Sequence, residues 1–273
     1  MHKELLENVR ACRPLIHSIT NYVTVNDCAN MLLACGASPI MADDIGEAAE
    51  ITAVCGGLNI NIGTLNERTI PAMFAAGRQA NALRHPVVLD PVGAGASGLR
   101  TRTALRLTEE VRFAVIRGNI SEIKTLAQGR GTTKGVDADP VDVVTEDTLD
   151  AACAFVKAFA AKTGAVIAVT GAIDIVADGQ TAYCIRNGHP MMGSVTGTGC
   201  QLSALTAAFV TANPKETLRA AAAAVCAMGV CGEIAEKRLG AQDGNAAYRN
   251  NMIDAMYRLD GDTLERLAKC EER

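Results

Sequence analysis

Residues 193–200 read Gly193-Ser194-Val195-Thr196-Gly197-Thr198-Gly199-Cys200 and run directly into an apolar stretch at 202–210. Glycines and hydroxyls ahead of a buried helix are the ingredients of an anion cradle. The first amides of a helix have no intrahelical partners and carry partial positive charge. Glycine lets those amides close on an anion with no Cβ in the way, and phosphate suits such a cradle best. Cys200 stands at its end, where the helix field is expected to lower a thiol pKa. Cradle and titratable group together point to chemistry on a phosphate. Taken locally, the same residues also fit a glycine-rich turn before a core helix.

Other polar groups follow short apolar runs. Val87-Val88-Leu89 ends in Asp90, and the run 113–116 is followed by Arg117-Gly118-Asn119, with Glu122 a helical turn further on. The run 166–169 ends in Thr170-Gly171. Singly these read as a helix cap, a surface charge and a turn. Together they would line the carboxyl edge of a parallel sheet, where such sheets bind ligands.

That edge requires strands that alternate with helices. Runs at 38–41, 59–62, 87–89, 113–116 and 166–169 read as buried strands, with helical patterns at 26–35, 67–83, 101–107, 121–126 and 148–162 between them. The class is therefore α/β: a central, mostly parallel sheet with helices on both faces. Runs 173–176 and 181–185, joined through Asp178-Gly179, read as an antiparallel hairpin. From Cys200 the pattern is helical almost to the end, broken at Asn213-Pro214 and at 240–244. Segment 128–139, with its glycines and charges, reads as a mobile surface loop. No repeat or low-complexity linker divides the chain, so residues 1–273 are expected to form one domain.

Composition narrows the partners. The 273 residues are 49% hydrophobic but only 3% aromatic, with no Trp, so the core must be aliphatic and there is no stacking platform for nucleic acid. A net charge of −4 without a basic run argues against nucleic acid and against anionic membranes. The alanine-rich stretch 217–230 reads as a core helix rather than a membrane span. Ten cysteines without a CxxC pair or metal-ligand spacing, and no secretory signal, point to the reducing cytoplasm. Cys35, Cys153, Cys226 and Cys231 read as small buried hydrophobes. His17 reads as a hydrogen-bonded loop residue.

Gly93-Ala94-Gly95-Ala96-Ser97-Gly98 matches the GxGxxG dinucleotide pattern. Asp90-Pro91-Val92 separates it from its strand, however, and no strand with a terminal acidic residue follows. A Walker A sequence is also absent. Another series is more specific: His17-Ser18-Ile19-Thr20-Asn21-Tyr22-Val23, Asn26 to Asn30, Pro39-Ile40-Met41-Ala42, Asp90-Pro91-Val92-Gly93-Ala94-Gly95, Arg117-Gly118-Asn119-Ile120-Ser121-Glu122 and Val195-Thr196-Gly197-Thr198-Gly199-Cys200 occur in this order. Together they resemble the hydroxyethylthiazole kinase family of the ribokinase-like superfamily. The Gly-Thr-Gly segment is shared across that superfamily, whereas the Ile-Thr-Asn and Pro-Ile-Met segments point to the thiazole enzymes.

The resemblance implies a ribokinase-like fold and phosphoryl transfer from ATP to the alcohol of 4-methyl-5-(2-hydroxyethyl)thiazole, in thiamine biosynthesis or salvage. It implies that Met41 and Gly197 touch the thiazole, with Asn21 and Val23 lining the pocket. Arg117 and Thr170 would bind ATP, Asp90 and Glu122 would hold Mg²⁺ directly or through water, and Gly197, Thr198, Gly199 and Cys200 would form the anion hole. It implies a homotrimer with sites at subunit boundaries. Cys200 stands where many relatives carry Asp, and its expected role is to position the substrate hydroxyl or accept its proton. Other readings on this fold are a different small-alcohol kinase, such as one acting on hydroxymethylpyrimidine, or a non-catalytic nucleotide-binding relative.

Overall fold

The computed structural model describes residues 2–129 and 143–273. Short, β-branched runs become the strands β1 (Leu15–Ile19), β2 (Ser38–Ile40), β3 (Gly57–Asn61), β4 (Val87–Asp90), β5 (Val115–Asn119), β6 (Val166–Thr170), β7 (Asp174–Ala177), β8 (Ala182–Ile185) and β9 (Cys270–Glu272). They form one sheet in the order β2-β1-β3-β4-β5-β6-β7-β8-β9. The pairings from β2 through β6 are parallel. The last three strands are antiparallel, so the expected hairpin is β7–β8.

The helices are α1 (His2–Cys12), α2 (Val25–Cys35), α3 (Ala48–Val54), α4 (Thr69–Leu83), α5 (Gly98–Glu110), α6 (Ile120–Gln128), α7 (Leu149–Thr163), α8 (Thr198–Ala212), α9 (Thr217–Lys237), α10 (Asn245–Arg258) and α11 (Gly261–Leu267). They cover both faces of the sheet, because alternate strand residues point to opposite sides. Val88 and Val115 join the apolar cluster formed with α1, α2 and α8 to α11. Val87, Leu89 and Ile116 join the cluster formed with α3 to α7. The fold is therefore the α/β arrangement expected. Helix α9 is long and apolar enough to span a membrane by composition, but 78% of its most apolar window is buried inside the fold. Its alanines let it lie closely against α8.

Four elements went unread in the sequence: α1, β1, the short helix α3 and β9. The middle of β1 is polar, and His17 belongs to that strand rather than to a loop. His17 is buried, with Nδ1 2.8 Å from Thr52 Oγ1 and Nε2 2.7 Å from the Ala42 carbonyl, and burial lowers its pKa. Helix α1 is charged on its outer face, and β9 is a short acidic edge strand that ends the chain's helical run. Of the expected loop 128–139, Gln128 ends α6 and Gly129 caps it in the left-handed region (φ 72°). The remainder lies outside the described residues.

Candidate active site

The carboxyl ends of β3 to β6 meet the N-terminus of α8. Asp90 closes β4 and is fully buried. Its Oδ2 accepts hydrogen bonds from Asn61 Nδ2 at 2.8 Å, Ser203 Oγ at 2.8 Å and Arg117 Nη1 at 3.2 Å. Its Oδ1 is buried without a hydrogen-bond partner. Burial pushes the Asp90 carboxyl above the usual range, and the Arg117 charge opposes that shift. Arg117 spans the site: Nη2 donates to Thr170 Oγ1 at 2.9 Å, while its buried Nε has no partner. An acceptor on Asp90 and a donor on Arg117 are thus both left without a partner inside the site, and buried polar groups are rarely left so without a purpose.

Helix α8 begins at Gly197, which lies in the left-handed region (φ 87°) and supplies no side-chain cap. A Cβ on Gly197 would overlap Thr24, and one on Gly199 would lie 2.7 Å from Arg117 Nη2. Glycine is thus required at one position for its backbone and at the next for the close approach of a cation. The first turn has no side-chain cap, so its leading amides are left for another acceptor. Cys200 is buried in that turn, and its Sγ accepts a hydrogen bond from Asn21 Nδ2 at 2.9 Å. Asn21 Oδ1 in turn accepts from Thr24 N and Oγ1, and Asn21 Nδ2 also reaches Asn61 Oδ1 at 3.3 Å. One polar chain therefore runs from the β1–α2 loop through Asn61 to Asp90.

A cleft of about 520 Å³ opens beside this cluster. Arg117, Thr170, Thr198, Gly199, Asn187 and Gly229 are among the residues that line it.

The sequence profile of the hydroxyethylthiazole kinase family matches residues 6–262. A hydroxyethylthiazole kinase of Clostridium acetobutylicum is 65% identical over 271 residues, covering 99% of both chains. The chain belongs to the hydroxyethylthiazole kinase family. A solved hydroxyethylthiazole kinase structure from Pyrococcus horikoshii OT3 superposes with a TM-score of 0.88 at 36% identity, over 100% of this chain and 98% of that one. Pyridoxal kinase from Staphylococcus aureus, solved with ADP, shares the fold at a TM-score of 0.61 and 15% identity, over 95% and 98% of the two chains. The ribokinase-like architecture expected from the sequence is thereby established.

Within this family member, Asn21, Asp90, Arg117, Thr170, Gly197 and Cys200 converge on one sheet edge. Met41 is half-buried beside the apolar cluster that contains Cys200. Val23 is 58% exposed and faces away from the chain's own packing. Glu122 is buried at the start of α6, in a capping box with Asn119. Its Oε1 accepts from the Gly93 amide at 2.7 Å and its Oε2 from the Asn119 amide at 2.8 Å. Burial, and then the negative charge of Asp90, raise its pKa to about 7. A buried carboxylate pair with one open oxygen and a raised pKa fits a hard divalent cation, which would supply the missing positive charge.

One expectation changes. The helix field does not govern Cys200: burial and the nearby Asp90 carboxylate push its thiol upward, so it is protonated at neutral pH. As the sequence suggested, the GxGxxG stretch is no dinucleotide loop: the Gly93 amide is spent on Glu122. Two residues of the site were missed. Asn61 ends an apolar strand with a polar residue, as Asp90 does. Ser203 lies one helical turn beyond Cys200, which puts both on the same face of α8.

Proposed function

We propose that this chain transfers the γ-phosphoryl group of ATP to the hydroxyl of 4-methyl-5-(2-hydroxyethyl)thiazole, in thiamine salvage in the cytoplasm, and that residues 1–273 act as one catalytic domain. The reaction needs positioning and charge stabilisation far more than covalent help. Arg117 and Thr170 hold the triphosphate along the cleft. The amides of Thr198, Gly199 and Cys200 receive the charge that gathers on the transferred group. Mg²⁺, held by Asp90 and by Glu122 directly or through water, would neutralise phosphate charge there.

The thiazole ring rests against Met41 and Gly197, with Asn21 and Val23 at its border. Cys200, fixed by Asn21, orients the hydroxyl oxygen toward the γ-phosphorus. The new P–O bond forms as the bond to the β-phosphate oxygen breaks. In a loose transition state the hydroxyl proton leaves late, passing to a phosphate oxygen or to solvent, so a neutral thiol suffices for this role. The observation that carries the reading is the open Asp90 Oδ1 beside Arg117 and the uncapped start of α8. The exposed Val23 and Tyr22 support a homotrimer in which a second copy completes the thiazole pocket. Kinetics of Asp90→Asn and Arg117→Ala test the assignment. The first should raise the Mg²⁺ requirement, and the second should raise KM for ATP or lower kcat. Wild-type kinetics for both at limiting Mg²⁺ and ATP would show the site to be misplaced.

A further inference from the structure

Three soft donors meet where the two ends of the chain pack on the core. His2 opens α1, Cys226 lies in the middle of α9 and Cys270 opens β9, opposite Ile185 of β8. One imidazole nitrogen and the two Sγ atoms all lie within 4.8 Å of one another. Cys226 is fully buried and His2 is only 5% exposed, while Cys270 is half-buried and gives a path to solvent. His2 Nδ1 is buried without any hydrogen-bond partner, although the backbone is firmly held there: the His2 amide donates to Glu265 Oε2 at 2.7 Å. The His2 ring also lies within hydrogen-bonding reach of Cys270, so an imidazole with one nitrogen left unsatisfied stands beside two thiols, and buried polar groups are rarely left so without a purpose.

We propose that His2, Cys226 and Cys270 form a binding site for one zinc ion, which ties the first helix, the central helix and the last strand together. The donor set selects the ion. Two thiolates and an imidazole are ligands for a soft or borderline metal, unlike the carboxylates of the phosphate site. Zn–S bonds of about 2.3 Å and Zn–N bonds of about 2.0–2.1 Å bring donors to roughly 3.5–4 Å of each other in a tetrahedron. Closing the cluster to that spacing takes side-chain shifts of about an ångström or less. On binding, each thiol gives its proton to solvent. The two thiolate charges then balance the dication, so a neutral complex sits in the buried site. Three protein ligands leave a fourth position for water on the Cys270 side.

The test uses the full-length protein, stripped of metal under reducing conditions and titrated with Zn²⁺ against a competing chromogenic chelator. Wild type should bind one tight equivalent. His2→Gln and Cys270→Ser should each weaken that affinity by about 100-fold or more, beyond the range typical of changes outside the ligand set. Replacement of zinc by Co²⁺ should give a sulfur-to-metal charge-transfer absorption that is lost in Cys270→Ser. Zinc should raise the melting temperature of wild type but not of His2→Gln. Cys153 and Cys184, whose sulfurs lie 3.5 Å apart, form a separate buried thiol pair, so Cys153→Ala should leave the tight site intact. His2→Gln keeps every thiol, and it decides the matter if Cys270→Ser fails to fold. Equal zinc affinity in wild type and His2→Gln, loss of the site in Cys153→Ala, or a Cys226–Cys270 disulfide forming in place of metal binding would each overturn the proposal.

Discussion

The Cys200 sulfur accepts a hydrogen bond from Asn21 at 2.9 Å, and burial together with Asp90 raises its pKa. Such a thiol holds a hydroxyl in line but takes its proton poorly. Cys200→Ala should therefore cost about tenfold in kcat, the worth of one hydrogen bond, with KM for ATP nearly unchanged. Cys200→Asp should keep substantial turnover at neutral pH, because a carboxylate accepts the same hydrogen bond. A loss of several hundredfold in Cys200→Ala, with a wild-type kcat that climbs steeply toward pH 9, would instead make the thiolate a base. Glu122 carries a second residue-scale expectation. With its pKa raised to about 7, it is protonated and neutral below that pH and a carboxylate above it. Metal affinity should therefore fall as pH falls. One unit below the pKa only about a tenth remains ionised, so half-maximal Mg²⁺ should rise roughly tenfold between pH 8 and pH 6. Glu122→Gln should need more Mg²⁺ at every pH and lose this dependence. Rates measured across a Mg²⁺ series at each pH decide it.

At the scale of elements, the start of α8 depends on Gly197, whose left-handed backbone and contact with Thr24 leave no room for a side chain. Gly197→Ala forces a left-handed backbone on a residue with a Cβ and drives that Cβ into Thr24. We expect a loss in kcat of about a hundredfold or more, because misplaced amides no longer meet the transferred phosphoryl group. Thr24→Ser removes the obstructing methyl but keeps the hydroxyl that holds Asn21, so the double variant should recover part of the loss; equal kcat for the double and single variants would contradict the account. The same elements show what a sequence discloses. Asp90, Arg117 and Thr170 were legible because each polar residue ends an apolar run, and in a parallel sheet all such ends share one edge. Strand β1 was not, because His17 and Ser18 interrupt its pattern and are satisfied only by distant partners such as Thr52 and Asn59. Nor was the upward shift at Cys200, since the burial that causes it comes from loops remote in sequence. His2, Cys226 and Cys270 have no telling spacing; only the packing of both chain ends against α9 unites them.

At the scale of the whole molecule, the sheet places a phosphate-handling edge between helices contributed by nearly every part of the chain. Beside the pocket proposed for the thiazole, Tyr22 and Val23 are 74% and 58% exposed. Apolar side chains so exposed beside a site mark a contact surface. The protein should sediment at three times its chain mass of 28.5 kDa, and Val23→Asp should lower both that mass and the affinity for the thiazole alcohol. A Val23→Asp variant that stays assembled with unchanged KM would remove Val23 from the interface and the pocket. The account as a whole rests on which alcohol the edge phosphorylates. The direct measurement is the initial rate of ADP formation with Mg²⁺-ATP and either 4-methyl-5-(2-hydroxyethyl)thiazole or hydroxymethylpyrimidine as acceptor. The account predicts a clearly higher kcat/KM for the thiazole alcohol; equal or faster turnover of the pyrimidine alcohol would contradict it.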